Sequence, residues 1–322
     1  MTETGLGARK MPSALRNWRD FIIYIGFVAI FVIFAATLGE RGFLDPNNLL
    51  NIVRQSAIIA VMAVSMTFVL GTAEIDLSVG AVAGLASVAT AIGIDHYGLP
   101  GGIACGLGTG LIVGAANGWL TTGLGIPSFL TTLAMMGIAR GVAMWISGTA
   151  AIPILDKTFA AIFGGGNLGP VPSLLIWMAL LGLAGHVALR RTTFGRRVLA
   201  TGGNETSARY SGVDTAAVKF RVLMLSSLAA ALAGMLYAGR LHSGRFQFGE
   251  GDELSVIAAA VLGGSSLFGG TATVVGSVMG ALMIGLINNG LVLMGLEFSQ
   301  QLIARGAIII VAVAMSQTRR RR

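Results

Sequence analysis

One cysteine, three histidines and 11% charged residues set the first limits on this 322-residue chain. A lone thiol, Cys105, can form no internal disulfide and carries no information about redox compartment. His96, His186 and His242 are scattered, and there is no His-Glu-x-x-His, so no metal site is expected. Gly-x-x-x-x-Gly-Lys-Ser/Thr and Gly-x-Ser-x-Gly are also missing, which removes the familiar nucleotide-hydrolysing and nucleophile sites and leaves no catalytic residue to name. The scarcity of charge comes with 54% hydrophobic residues and a mean hydropathy of +0.80, values that soluble domains of this size do not show.

What is present is apolar sequence in long runs. A bilayer core needs roughly 20 apolar residues per helix. About ten such stretches occur, near 21–38, 49–70, 75–94, 101–121, 126–146, 173–189, 221–239, 254–268, 273–295 and 301–316. They are too long, and too rich in Ala, Gly, Leu and Ile, for the alternating strands of a barrel. The expected fold is all-α and polytopic, with the eighth stretch short enough to be broken or re-entrant. The first run is longer than a signal-peptide core and lacks a small-residue cleavage site, so it reads as an uncleaved anchor.

The net charge of +8 invites a nucleic-acid reading, but its distribution argues against one. Residues 1–20, 190–221 and 319–322 hold 15 of the 22 Lys and Arg. All three segments fall on one side if ten spans separate two cytoplasmic termini. The expected organisation is a cytoplasmic tail at 1–20, a transmembrane domain at 21–316 with a cytoplasmic loop at 190–220, and a basic tail at 317–322. The sequon Asn204-Glu205-Thr206 lies in that loop and is discounted. Gly164 to Gly169 matches Gly-x-Gly-x-x-Gly literally, yet no βαβ pattern surrounds it.

Two words repeat. Asp76-Leu77-Ser78-Val79 opens the third stretch and Glu253-Leu254-Ser255-Val256 the eighth; Gly-x-x-Asn follows each, at Gly114–Asn117 and Gly285–Asn288. An odd offset of five spans makes the halves inverted in topology, which places Asp76 near the cytoplasm and Glu253 near the exterior. Both acids could cap helix N-termini or touch a solute. Glycines at 102, 106, 110, 114 and 118 form a stripe for close helix packing, as does Gly276-x-x-x-Gly280. Polar groups inside hydrocarbon are costly unless paired or facing water, which nominates Asn117, Ser128, Thr131, Thr132, Asn288 and Asn289 as pathway candidates. Arg140 is expected to pair with a carboxylate or a helix C-terminus, or to line the pathway, and Arg305 is a further intramembrane charge expected to face the protein interior. In the basic loop, Glu205 to Gly212 reads as a short helix, with Gly202 and Gly203 breaking the chain before it and Gly212 stopping it.

Four words in order resemble one family: Glu74-Ile75-Asp76-Leu77-Ser78-Val79-Gly80; Ile126-Pro127-Ser128-Phe129-Leu130-Thr131-Thr132-Leu133; Gly202-Gly203-Asn204-Glu205 with Ser211-Gly212; and Glu253 to Gly264 leading to Gly269-Gly270 and Asn289-Gly290. They are similar to the permease subunits of bacterial ABC importers for monosaccharides, the ribose-type branch, over about residues 45–316. The resemblance implies a homodimer in the inner membrane, a cytoplasmic ATPase that holds ATP and Mg in place of any cofactor on this chain, and a periplasmic sugar-binding protein. It also implies that Gly202, Gly203, Asn204, Glu205, Ser211 and Gly212 form the loop through which ATPase motion reaches the membrane. Lipid is the remaining expected partner, and nucleic acid is not one. The rival readings are an ion-coupled secondary carrier, which would need a mid-membrane carboxylate, and an intramembrane enzyme, for which Asp252-Glu253 is thin support.

Overall fold

The computed structural model describes residues 22–297, 299–304, 306, 307 and 310. The expected tails, Arg305 and most of the 301–316 stretch lie outside the described residues.

Helices follow the apolar runs: α1 (Ile22–Leu38), α2 (Pro46–Gly71), α3 (Val79–Thr122), α4 (Ser128–Ser147), α5 (Lys157–Ala160), α6 (Ser173–Arg191), α7 (Thr193–Gly203), α8 (Glu205–Tyr210), α9 (Thr215–Leu241), α10 (Asp252–Leu262) and α11 (Val274–Leu293). Side-chain oxygens at Asp45, Thr192, Asn204, Asp214 and Thr273 cap the starts of α2, α7, α8, α9 and α11. Among the described residues the strands are two-residue pairs, Ile152–Pro153 with Ser243–Gly244 and Asn167–Leu168 with Val171–Pro172. Among the described residues, seven helices are long and apolar enough to cross a bilayer. The chain is an all-α polytopic membrane protein.

The third and fourth expected spans form one continuous hairpin, α3. Gly98 sits at φ 69°, a left-handed turn that a glycine adopts without strain, and Pro100 falls in the first turn of the second arm, where its missing N–H costs nothing. The arms fold back on each other so that Gly93 faces Gly102 and Cys105, and Gly106 faces Thr90. Lower on the same stripe, Gly110 and Gly114 lie against Ser227 and Met224 of α9, and Gly118 against the Phe220 ring. The four-residue glycine spacing is therefore a packing seam, first within the hairpin and then onto α9. In the second half Gly276 and Gly280 of α11 meet Gly263 and Ala259 in the same manner.

The eighth expected span is an eleven-residue half-helix, α10, entered by non-helical chain. Residues 242–251 run back along the first arm of α3: Gly244 packs on Ser87 and Ala91, Gly84 meets the Phe246 carbonyl, and Gly249 meets Gly80. This corrects the expected depth of the repeated acids. A Cβ at Gly80 would lie 2.5 Å from Glu253 Oε2, so Glu253 sits beside the start of α3, four residues from Asp76, and not near the opposite surface. The descending segment spends the membrane depth that a full helix would have used. The first arm of α3 and α10 start at this shared level and run in opposite directions, as inverted halves require.

Candidate functional site

The candidate site is built on residues 72–78, a strap of non-helical chain between α2 and α3. Chain of this kind inside an apolar domain must find partners for its amides. They come from side chains. The Ile75 N–H donates to Ser128 Oγ at 3.1 Å, and the Leu77 N–H to Thr132 Oγ1 at 3.0 Å. Asp76, fully buried, accepts from the Ser78 N–H at 2.9 Å and the Ser78 hydroxyl at 2.6 Å, both on Oδ1. Asn117 Nδ2 donates to Ser78 Oγ at 3.0 Å. The words Glu74 to Gly80 and Ile126 to Leu133 thus meet, the second supplying the hydroxyls that the first needs.

The third and fourth words close on the same place. Gly202 of α7 abuts the Gly71 carbonyl at the end of α2, and the Gly270 N–H donates to that carbonyl at 3.2 Å. Gly269 also packs on Gly202. Helix α7 runs through Gly202 and Gly203, so the break before α8 falls on Asn204, at φ −159°, and not on the glycines. Gly202 is required by proximity to backbone. Asn204 caps α8 by accepting from the Ser207 N–H at 2.9 Å, Ser211 Oγ donates to the Ser207 carbonyl, and Gly212 ends the helix at φ 83°.

A triad of charges ties α8 to the strap. Lys219 Nζ, on α9, lies 2.8 Å from Glu205 Oε2 and 2.8 Å from Glu74 Oε1. Glu205 also accepts from Thr215 Oγ1 and pairs with Arg209. The Lys219 hydrogen bond holds the Glu205 carboxyl below the usual glutamate range. A depressed folded value means that the stabilisation is complete at neutral pH and is lost as pH falls below the ordinary carboxylate range. A dye at Ser211→Cys in a Cys105→Ala background should therefore keep its fluorescence anisotropy through the ordinary carboxylate range and lose it only as pH falls below that range. In a Glu205→Gln background the low-anisotropy state should be present at neutral pH; a wild-type-like titration there would show that another group governs α8.

The outer face of this region is open and basic. Arg196, Arg197, Arg209 and Tyr210 are exposed, Tyr210 to 90%.

The pathway candidates divide into two groups. Asn117, Ser128, Thr131 and Thr132 are buried around the strap, where Thr131 Oγ1 and Asn117 Oδ1 have no hydrogen-bond partner. Asn289 is about 24 Å along α11 from Thr273, at 1.5 Å per residue, and exchanges amide hydrogen bonds with Asn48. Asn288, half-buried, precedes it on α11. Arg140 pairs with Glu250 at 3.1 Å, which is the ion pair expected of it. Glu253 Oε2 is buried without a hydrogen-bond partner, and the carboxyl of Asp76 has the buried Ser226 hydroxyl as a further neighbour. Glu74 and Lys219 were not singled out by sequence reasoning. A lysine near the start of a 27-residue helix whose middle, from Val222 to Gly239, carries no charge was the available signal.

Comparison with known proteins fits this arrangement. A family model described as "branched-chain amino acid transport system / permease component" matches residues 48–313, which include all four words. The chain belongs to this permease family. The permease is 37% identical to the ribose import permease protein of Escherichia coli (strain K12), over 97% of each chain. It is 39% identical to that of Bacillus subtilis (strain 168), over 90% of this chain and 91% of the relative. The xylose transport system permease protein of E. coli (strain K12) is 33% identical, over 95% and 93%. No solved structure matches the permease.

Proposed function

We infer that this chain is the transmembrane permease subunit of an ATP-binding-cassette importer that carries a monosaccharide, or a related polyol, inward across the cytoplasmic membrane. Ribose and xylose permeases among its relatives support the solute class. The chain performs no catalysis in this reading. ATP and Mg are held by a cytoplasmic ATPase, a periplasmic sugar-binding protein delivers the solute, and a second copy of the chain completes the pathway. Both termini and α7–α8 face the cytoplasm, and lipid surrounds the apolar helices. Asn117, Ser128, Thr131 and Thr132, with Asn288 and Asn289 at the far end of α11, offer the polar groups from which a hydroxyl-rich solute could take hydrogen bonds on its way through.

One observation carries the mechanism. The exposed, capped helix α8 is bonded through Lys219 to Glu74, at the head of the strap that opens the first inverted half. ATPase closure pushing on α8 would then reach the element whose two packings distinguish outward-open from inward-open states. The test is affinity purification of the tagged chain from native membranes in mild detergent, wild type beside Glu205→Lys, with mass spectrometry of what accompanies it. Wild type should recover an ATPase. Glu205→Lys, which faces Lys219 and Arg209 with a third positive charge, should lose it while inserting normally. Solitary purification of both would sink this reading.

The ion-coupled carrier keeps one observation in its favour, the fully buried carboxyl of Asp76. Uptake of labelled ribose or xylose by energised vesicles would separate the two. Loss on ATP depletion with the ion gradients intact belongs to the importer, and loss on ionophore addition with ATP intact to the carrier.

A further inference from the structure

We propose that Lys219 is a positioning residue that transmits displacement of α8 to the strap at 72–78, and through the strap to α4 and the second arm of α3. The proposal rests on the reading of α7–α8 as the ATPase-docking element.

Four features single out this route. First, one ammonium group holds two carboxylates from separate elements at equal distance, 2.8 Å each. Second, the Lys219 and Glu74 side chains are only 18% and 12% exposed, so their attraction is little screened by salt, whereas Arg209, at 71% exposure, adds a solvated surface pair of small worth.

Third, the strap is attached mainly by side chains. Its backbone-to-backbone bonds are at its two ends, where the Ala73 N–H donates to the Leu70 carbonyl and the Glu74 N–H to that of Val69, and where the Ser78 carbonyl accepts from the Val82 N–H of α3. From Ile75 onward the bonded amides donate to Ser128, Thr132 and Asp76, so the strap can shift without unwinding a helix. Fourth, those same bonds pass any shift directly to α4, and Asn117 passes it to α3. Removing the lysine leaves Glu74 and Glu205 to repel each other, which turns a tether into a wedge.

The experiment uses the complex of this chain with its co-purifying ATPase, carrying Ala73→Cys as reporter in a Cys105→Ala background. Ala73 is exposed on the strap beside Glu74. The rate of fluorescein-maleimide labelling is compared without nucleotide and after trapping with ATP and orthovanadate. The expected result is a change of about tenfold in the reporter chain, within the ordinary range of coupling between sites. Glu74→Gln, which keeps the Lys219–Glu205 bond, should flatten that change while the ATPase is still recovered and still hydrolyses ATP; Lys219→Met should flatten it as well, and Lys219→Arg should restore it.

A retained tenfold change in Lys219→Met or Glu74→Gln would overturn the relay, as would a flat response in the reporter chain itself. If Lys219→Met does not purify as a monodisperse complex, Glu74→Gln, which keeps the Lys219–Glu205 bond, decides alone. Failure of the unsubstituted chain to bring down an ATPase refutes the docking reading, and the relay with it. Recovery of the ATPase with unchanged labelling refutes only the relay.

Discussion

Gly202→Val should abolish assembly with the ATPase and uptake together, while Gly203→Ala, one residue on, leaves both intact. The contrast follows from what each added carbon would meet. At Gly202 a Cβ runs into the Gly71 carbonyl oxygen and comes within 2.8 Å of the Gly270 nitrogen, both of them backbone. No rotamer can relieve such a clash, so α7 must move off the ends of α2 and of the 263–273 loop. The cost should exceed the roughly 1–3 kcal/mol of ordinary overpacking. At Gly203 the nearest atom is the Gly270 Cα at 3.8 Å, an ordinary contact, and the change should stay within about 0.5 kcal/mol. Thermal unfolding in detergent, followed by intrinsic tryptophan fluorescence, and ATPase recovery from the same preparations check both. Equal behaviour of the two variants would mean that α7 leaves α2 without loss of function.

Asp76→Ala should destabilise the permease by about 3 kcal/mol and eliminate transport, because Oδ1 satisfies both the Ser78 amide and the Ser78 hydroxyl inside the fold. Each orphaned buried donor costs about 1–3 kcal/mol. Asn117, whose amide leans on the same hydroxyl, would lose its orientation too. Asp76→Asn keeps an acceptor oxygen of the same shape and should retain most of the stability. Unfolding and uptake should be measured on both. If Asn behaves like Ala, the site uses the charge of Asp76 and not its acceptor geometry.

Much of this was legible in the sequence, for reasons that differ from element to element. Long apolar runs fix helices almost alone, since only helices and closed barrels satisfy a backbone in lipid and runs of this length do not suit a barrel. The glycine stripe from Gly102 to Gly118 announced close packing because small residues at helical spacing have few other uses. The helix at Glu205 was visible from its Gly212 stop, although the break before it falls on Asn204 and not on Gly202 and Gly203. What was not legible depended on contacts across the chain. The hairpin at Gly98 looked like an ordinary loop between spans, since one left-handed glycine leaves no pattern. The depth of Glu253 was misread because the descending segment at 242–251, which contains Arg245 and Glu250, carries charge and so resembles an exterior loop. Glu74 and Lys219 are separated by more than a hundred residues, and only the fold reveals that one ammonium serves two carboxylates.

The half-length of α10 also bears on how the chain is made. Eleven residues rise about 16 Å, half the thickness of the hydrocarbon, so α10 cannot be released sideways into lipid as a segment in its own right. Its seat is a groove formed by α2, synthesised long before it, and α11, synthesised just after. The partners of 242–251, Asp252 and Glu253 lie on α3 and α9 and are already made when these residues emerge. It is the far end of α10, where Ala259 and Gly263 receive Gly280 and Gly276, that must wait for Val274–Leu293 before its seat is complete.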